Sequence, residues 1–133
     1  MVGDRICYLD ASAVVKLVIT EAESRALRAF LADQPRRAAS RLVGVEAARA
    51  LSRLGISGGQ ELTDVLAHLD QIDVTEDVLR EASRLPPPSL RTLDAIHLAT
   101  ALALRPDLEA LVTYDRRLAQ AAEAAGLPVV APS

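Results

Sequence analysis

Short apolar runs alternate along the chain with longer segments in which apolar residues recur every three or four positions. The short runs predict buried strands at 5–9, 37–39, 72–74, 110–113 and 129–130. The longer segments predict helices from about residue 10 to 19 and over 21–32, 41–54, 58–69, 75–85, 90–104 and 115–125. This alternation is typical of a parallel sheet with helices on both faces, so we predict an α/β fold.

The length of 133 residues predicts a single domain, residues 1–133. The lone cysteine, Cys7, rules out an intrachain disulfide and fits a reducing, cytoplasmic setting. No apolar stretch approaches the roughly 20 residues that span a bilayer, and the first residues lack the pattern of a secretion signal. The net charge of -3 and the scarcity of aromatic residues argue against a broad basic surface or a base-stacking platform for nucleic acid.

Two aspartates directly follow predicted strands. Asp10 ends the first apolar run, in YLDASAVVKL, and Asp115 follows LVTY. In an open parallel sheet, ligands bind beyond the carboxyl ends of the strands, so both acids are predicted to lie on one rim. Each has an alternative role as the N-cap of the helix that follows it.

Two further acids lie among apolar neighbours in predicted helices. Asp94 lies near the start of SLRTLDAIHLAT. If its carboxylate faces inward among these apolar neighbours, it needs a partner. The alternative is that it only complements the dipole at the start of the helix. Glu46 lies in RLVGVEAARAL, where the alternative is an ion pair with Arg49, three residues on. The residues expected on one side of the helix that contains Asp94 are Leu93, Ile96, His97 and Ala101.

A divalent metal site explains these four acids together. Mg²⁺ and Mn²⁺ prefer oxygen ligands and are commonly held by a few carboxylates together with substrate phosphate. Such an ion activates water and offsets charge on a scissile phosphate, which explains how an acidic protein engages a polyanion. Spacing alone is weak support, because any chain with 18 acidic residues yields some such set.

The four acids also lie in four recognisable segments, YLDASAVVKLV, VEAARAL, LRTLDAIHLATAL and LVTYDRRLAQAAEAAGLPVV. In order and spacing these segments resemble the motifs of PIN-domain ribonucleases, in particular VapC-type toxins of bacterial toxin–antitoxin pairs. The third and fourth are the most specific, since an acid in a DAIHLA helix followed by a strand ending in VTYD is hard to obtain by chance. The resemblance covers nearly the whole chain.

The resemblance implies a three-layer α/β/α PIN-like fold and a metal-dependent endoribonuclease that acts as a toxin, leaving a 3′-hydroxyl and a 5′-phosphate. It implies that Mg²⁺, or Mn²⁺ in its place, is held by Asp10, Glu46, Asp94 and Asp115. Ser12 and Thr113 would be hydroxyls that orient those ligands. It also implies a homodimer and a cognate VapB-like antitoxin that blocks the active site.

Several other polar residues have two interpretations each. His97 is expected to be a packed, hydrogen-bonded residue rather than a ligand, because Mg²⁺ prefers oxygen. Lys16 either points toward phosphate or lies on a solvated helix face, and His68 is expected on the surface. Candidate phosphate contacts, with ordinary solvated charge as the alternative, are Arg36, Arg37, Arg41, Arg116 and Arg117.

Functions of other classes remain as alternatives. The chief one is a catalytically silent protein that keeps this scaffold only to bind RNA or a partner. Loss of an acid would favour it, and all four acids are present. A phosphatase with an aspartyl nucleophile normally carries a second Asp two residues on, where this chain has Ser12. A response-regulator receiver needs an acidic pair before the first strand's Asp and a later Lys, and neither is evident.

Overall fold

A computed structural model describes residues 5–34 and 36–133, so residues 1–4 of the predicted domain and Pro35 lie outside the described part. Within that part, five strands form one sheet: β1 (Ile6–Leu9), β2 (Arg36–Ser40), β3 (Asp70–Ile72), β4 (Leu108–Val112) and β5 (Val129–Val130). Their spatial order is β3-β2-β1-β4-β5, and every pairing is parallel. The prediction of a short-stranded parallel sheet is therefore confirmed.

Helices cover both faces of this sheet. They are α1 (Ala11–Val18), α2 (Ser24–Ala32), α3 (Val43–Arg53), α4 (Gly59–Ala67), α5 (Glu76–Ala82), α6 (Thr92–Ala103) and α7 (Arg116–Ala124). Successive side chains of a strand point to opposite faces, so Cys7 and Leu9 join the core under α1 to α4 while Tyr8 joins the core under α6 and α7. The three-layer α/β/α architecture is thus confirmed. No helix of the described residues has both the length and the hydropathy needed to cross a membrane.

Most predicted elements are confirmed to within about two residues, but two expectations are wrong. The third strand is Asp70–Ile72 rather than 72–74, because α4 ends early and buried Leu69 leads the chain straight into the sheet. Leu93 is 45% exposed instead of facing inward. Every residue from Asp94 to Ala101 is buried, so apolar spacing could not identify a single inner face for α6.

The carboxyl ends of β1 and β4 meet near the middle of the sheet. β1 pairs with β2 on one side and with β4 on the other, so the chain reverses its direction of progress across the sheet at this position. The chain leaves these two strands directly into α1 and α7, whose N-caps are Asp10 and Asp115. Both acids therefore cap helices and share one rim, so the two interpretations of the sequence hold together.

Candidate active site

The four predicted acids line one cleft of about 640 Å³ at this rim. Asp10 and Asp115 are the N-caps of α1 and α7, while Glu46 and Asp94 lie in the first turns of α3 and α6. Each acid is therefore held at the amino end of a helix, where the helix dipole favours negative charge. Of the two predicted hydroxyl residues, Ser12 also lines the cleft, and Thr113 lies behind Asp10.

Asp10 is the most enclosed of the acids, with 4% of its surface exposed. Its Oδ1 accepts hydrogen bonds from Ser12 Oγ at 2.6 Å and from the Ala13 amide at 3.1 Å. Its Oδ2 accepts one from Thr113 Oγ1 at 2.6 Å. Burial raises the pKa of Asp10, and the two hydroxyl hydrogen bonds oppose that rise by favouring the charged form. The carboxylate is thus fixed in orientation at the floor of the cleft.

The two hydroxyls also connect Asp10 to the segment that carries Asp115. Ser12 Oγ accepts a hydrogen bond from the Tyr114 amide at 2.9 Å, and Thr113 Oγ1 accepts one from the Asp115 amide at 3.0 Å. Each hydroxyl therefore donates to Asp10 and accepts from the backbone after β4. This arrangement fixes the separation of the two strand-end acids.

The Thr113→Val substitution is expected to lower catalytic activity by about 10- to 100-fold, the usual cost of losing a residue that supports a metal ligand. Valine keeps the shape of Thr113 but can neither donate to Asp10 nor accept from the Asp115 amide. Single-turnover cleavage measures the effect, with Thr63→Val on the exposed surface of α4 as the matched control. Activity equal to that of the control would contradict a supporting role for Thr113.

Arg91 joins the other two aspartates. Its Nε lies 3.2 Å from Asp94 Oδ2, and its Nη2 lies 3.1 Å from Asp115 Oδ2. Burial and the negative charge of Asp115 raise the pKa of Asp94, and Arg91 acts against that rise. The second oxygen of Asp115 accepts hydrogen bonds from the amides of Arg117 and Leu118. A single guanidinium therefore bridges two carboxylates that come from separate helices.

Glu46 is held by a buried chain of hydrogen bonds rather than by Arg49. His97 Nε2 lies 2.6 Å from Glu46 Oε1, and His97 Nδ1 lies 2.6 Å from the Tyr8 hydroxyl. The Tyr8 oxygen accepts a hydrogen bond from the Ser40 amide at 3.1 Å. The alternative of an ion pair between Glu46 and Arg49 is therefore wrong, and the prediction that His97 is packed and hydrogen-bonded is confirmed.

His97 donates to Glu46 whether the imidazole is neutral or charged. Burial raises the pKa of Tyr8 well above its usual range, so the hydroxyl keeps its proton and can donate to His97 Nδ1. In the neutral imidazole the remaining proton then lies on Nε2, and in the imidazolium both nitrogens carry one. Burial lowers the pKa of His97, but the hydrogen bond to Glu46 and the negative charges of Glu46, Asp10 and Asp94 together outweigh burial, so the net shift is upward. In either state the Glu46 carboxylate accepts a hydrogen bond from the protonated Nε2 of His97.

The sequence did not indicate this series of hydrogen bonds or the position of Arg91. Tyr8 was assigned only to an apolar strand, and its partner His97 lies 89 residues away. One available signal was that two hydrogen-bonding side chains, Tyr8 and His97, were both predicted inside a mostly aliphatic core and needed partners. Arg91 precedes Asp94 by three residues, which is the spacing of an ion pair on a helix.

Other basic residues are placed differently from what the sequence suggested. Lys16 lines the cleft but is paired with Glu21 at 3.1 Å and Glu23 at 2.9 Å, and it lies over the Tyr114 ring. His68 is exposed, as predicted. None of the five arginines proposed as phosphate contacts lines the cleft, including Arg36 and Arg41, which pair with Asp70 and Asp73. Those phosphate contacts are not supported.

The donor chemistry of the cleft suits a hard divalent cation, because the four predicted acids and Glu21 line it. Within residues 5–34 and 36–133, however, no three His, Cys, Asp or Glu side chains are close enough together to hold a metal ion as they stand. The contacts explain this: Arg91 engages Asp94 and Asp115, and His97 engages Glu46. The residue types fit Mg²⁺, but the side chains would have to move to bind it.

Comparison with known proteins shows the family. The family model described as PIN domain matches residues 7–124. The chain is 49% identical to Ribonuclease VapC46 of Mycobacterium tuberculosis, over 95% of this chain and 97% of that protein. It is 46% identical to Ribonuclease VapC35 of the same species, over 94% and 96%.

Solved structures share the fold. A toxin–antitoxin complex from Klebsiella pneumoniae contains a chain with 26% identity and a TM-score of 0.70, covering 96% of this chain and 98% of that one. The crystal structure of Mycobacterium tuberculosis VapC20 has 20% identity and a TM-score of 0.72, with coverage of 95% and 99%. Together with the match to the family model, these relatives show that the chain belongs to the PIN-domain family.

Proposed function

We propose that this protein is a VapC-type ribonuclease, a toxin that hydrolyses RNA phosphodiester bonds. The observation that carries the proposal is the convergence of Asp10, Glu46, Asp94 and Asp115, from four different helices, on one cleft. The names of the relatives from Mycobacterium tuberculosis, which are about half identical over nearly the whole chain, support the same activity.

Mg²⁺, or Mn²⁺ in its place, would be held by these four carboxylates. When bound, the ion would supply Lewis acidity, which lowers the pKa of water and offsets charge on the scissile phosphate. Asp10 fixes one side of the site through its three hydrogen bonds. His97 orients Glu46, and release of Arg91 would free Asp94 and Asp115. Hydrolysis by activated water would leave a 3′-hydroxyl and a 5′-phosphate.

The charge of the cleft supports this assignment. Five carboxylates and four basic side chains line it, which leaves a formal charge of -1 when His97 is neutral. One divalent cation would change that charge to +1 and so favour the approach of a polyanion. The silent-scaffold alternative has no such support, because all four acids face the cleft.

Metal removal is expected to abolish RNA cleavage. Purified protein freed of any antitoxin should cleave structured RNA with Mg²⁺ or Mn²⁺, stop in excess EDTA, and recover when Mg²⁺ is restored, because carboxylates alone supply no Lewis acid. Denaturing gel electrophoresis of end-labelled RNA measures the loss and identifies the product ends. Asp94→Asn protein purified in parallel controls for contaminating nuclease, and cleavage that continues unchanged in EDTA would contradict the metal mechanism.

The proposed partners follow from the same assignment. One solved relative is a toxin–antitoxin complex, which supports a cognate VapB-like antitoxin for this chain. Val45 and Leu93, 63% and 45% exposed, lie at the cleft and offer apolar surface to such a protein. A homodimer and a cytoplasmic location complete the proposal. Light scattering tests the dimer, and cleavage with and without the co-expressed antitoxin tests the inhibition.

A further inference from the structure

Two arginines of α3 line the same cleft as Glu46. Arg49 and Arg53 are both exposed, and they follow Glu46 by three and seven residues. These intervals place all three side chains on one face of the helix, because residues three and four apart are neighbours on a helix surface. The opposite face carries the buried residues Val43, Ala47 and Leu51.

Arg49 and Arg53 differ from the other basic side chains of the cleft. Lys16 is paired with Glu21 and Glu23, and Arg91 is paired with Asp94 and Asp115, so their charges are already compensated. In contrast, neither Arg49 nor Arg53 makes an ion pair or a side-chain hydrogen bond with any residue in 5–34 or 36–133. Exposed guanidinium groups without a carboxylate partner are available to an external anion.

Their spacing suits a polymer of phosphates. The two residues are four apart, so a rise of about 6 Å, slightly more than one turn, separates them along α3, and both line the same cleft. Arg53 and Arg49 therefore form a row of positive charge along α3 that ends beside Glu46, one of the four acids. Guanidinium groups bind phosphate through paired hydrogen bonds and keep their charge at any physiological pH.

We propose that Arg49 and Arg53 form a phosphate-binding track that guides the RNA backbone along α3 to the acid cluster. The inference rests on the proposed ribonuclease function and adds the path of the substrate. The two arginines contact phosphates outside the scissile bond. They therefore contribute to substrate binding, while the four acids carry the chemical step.

The test compares Arg49→Gln/Arg53→Gln with Arg25→Gln/Arg105→Gln. Arg25 and Arg105 are also exposed, do not line the cleft, and make no side-chain ion pair within the described ranges, so the control removes the same charge elsewhere. A third protein, Arg49→Lys/Arg53→Lys, keeps the charge at the track. All three changes are made in an Asp94→Asn background for binding, so that RNA stays intact, and in the otherwise unchanged protein for cleavage.

Binding of a fluorescent single-stranded RNA is measured over a range of salt concentrations. The logarithm of affinity falls with the logarithm of salt by about 0.7 for each phosphate contacted on a single strand, so loss of two contacts should flatten the slope by about 1.4. Affinity at low salt should fall by about tenfold or more, while the Arg25/Arg105 variant keeps the parental slope. The lysine variant should also keep the slope, which separates a charge effect from a packing effect.

Cleavage kinetics supply the second readout. In the Gln variant the KM should rise by about tenfold while kcat stays within about threefold, because uniform substrate binding is removed and the acids remain. A salt slope and KM equal to those of the Arg25/Arg105 control, in protein that cleaves RNA normally, would overturn the track alone. Failure of the unsubstituted protein to bind or cleave RNA would overturn the ribonuclease function and the track with it.

Discussion

Asp94→Asn protein is expected to lose more than about 100-fold of its RNA cleavage, more than loss of a supporting residue such as Thr113 typically costs. Asparagine has nearly the shape of aspartate and can still accept a hydrogen bond from Arg91, which lies 3.2 Å from Asp94 in the parent. It cannot supply the charge that a divalent cation requires from its ligands. Asp115→Asn, with the same change on the other side of Arg91, should lose a similar amount.

Single-turnover cleavage at saturating Mg²⁺ measures this loss. The matched control is Asp107→Asn, an exposed aspartate in the segment between α6 and β4, which removes the same charge away from the cleft and should keep full activity. His97→Ala offers a sharper check on the roles assigned to the cleft residues. A folded His97→Ala protein as inactive as Asp94→Asn would show that His97 does more than orient Glu46.

Mn²⁺ is expected to raise the melting midpoint of the unsubstituted protein by about 5 to 15 °C. An ion that binds only the folded state adds about 2.7 kcal/mol of stability at a hundredfold excess over its dissociation constant. For a chain of 133 residues, that gain corresponds to a shift on the order of 10 °C. Asp94→Asn protein should respond much less, because one of the four carboxylates is gone.

The same melting curves test the charge balance without metal. Burial and the charge of Asp115 raise the pKa of Asp94, so its charged form is disfavoured in the folded state and its neutralisation should not destabilise the protein. The lost ion pair with Arg91, whose side chain is 65% exposed, is worth less than about 1 kcal/mol. Metal-free Asp94→Asn should therefore melt at or slightly above the parent. Equal Mn²⁺ shifts in the two proteins, at fixed ionic strength, would remove Asp94 from the ligand set.

The strand-end acids were predictable because their placement follows from local sequence and parallel-sheet geometry. Asp10 directly follows one apolar run, and Asp115 follows another after a short segment. Each carboxylate therefore lies beyond the carboxyl end of its strand, whatever the strand order. The order β3-β2-β1-β4-β5 was not predictable from the pattern of apolar residues. It brings β1 and β4 side by side, which is why Thr113, just after β4, reaches the carboxylate of Asp10.

The partners of the other acids depend on contacts between distant parts of the chain. Glu46 and His97 are 51 residues apart, and the local alternative, Arg49, was three residues away. Helical spacing could offer only this local alternative, because it carries no information about which helices contact each other. Arg116 and Arg117 were candidate phosphate contacts only because they lie next to Asp115 in the sequence. The cleft arginines that have no ion-pair partner among the described residues instead belong to α3, which also carries Glu46.

The bridge that Arg91 makes between Asp94 and Asp115 changes the meaning of any metal affinity measured for this protein. A divalent cation that binds both carboxylates would have to displace the guanidinium of Arg91. That group would stay nearby, because Arg91 is only three residues from Asp94 in the sequence. Binding is then an exchange of one cation for another within the cleft. The apparent dissociation constant for the metal would equal the intrinsic constant divided by the fraction of molecules in which Arg91 contacts neither aspartate.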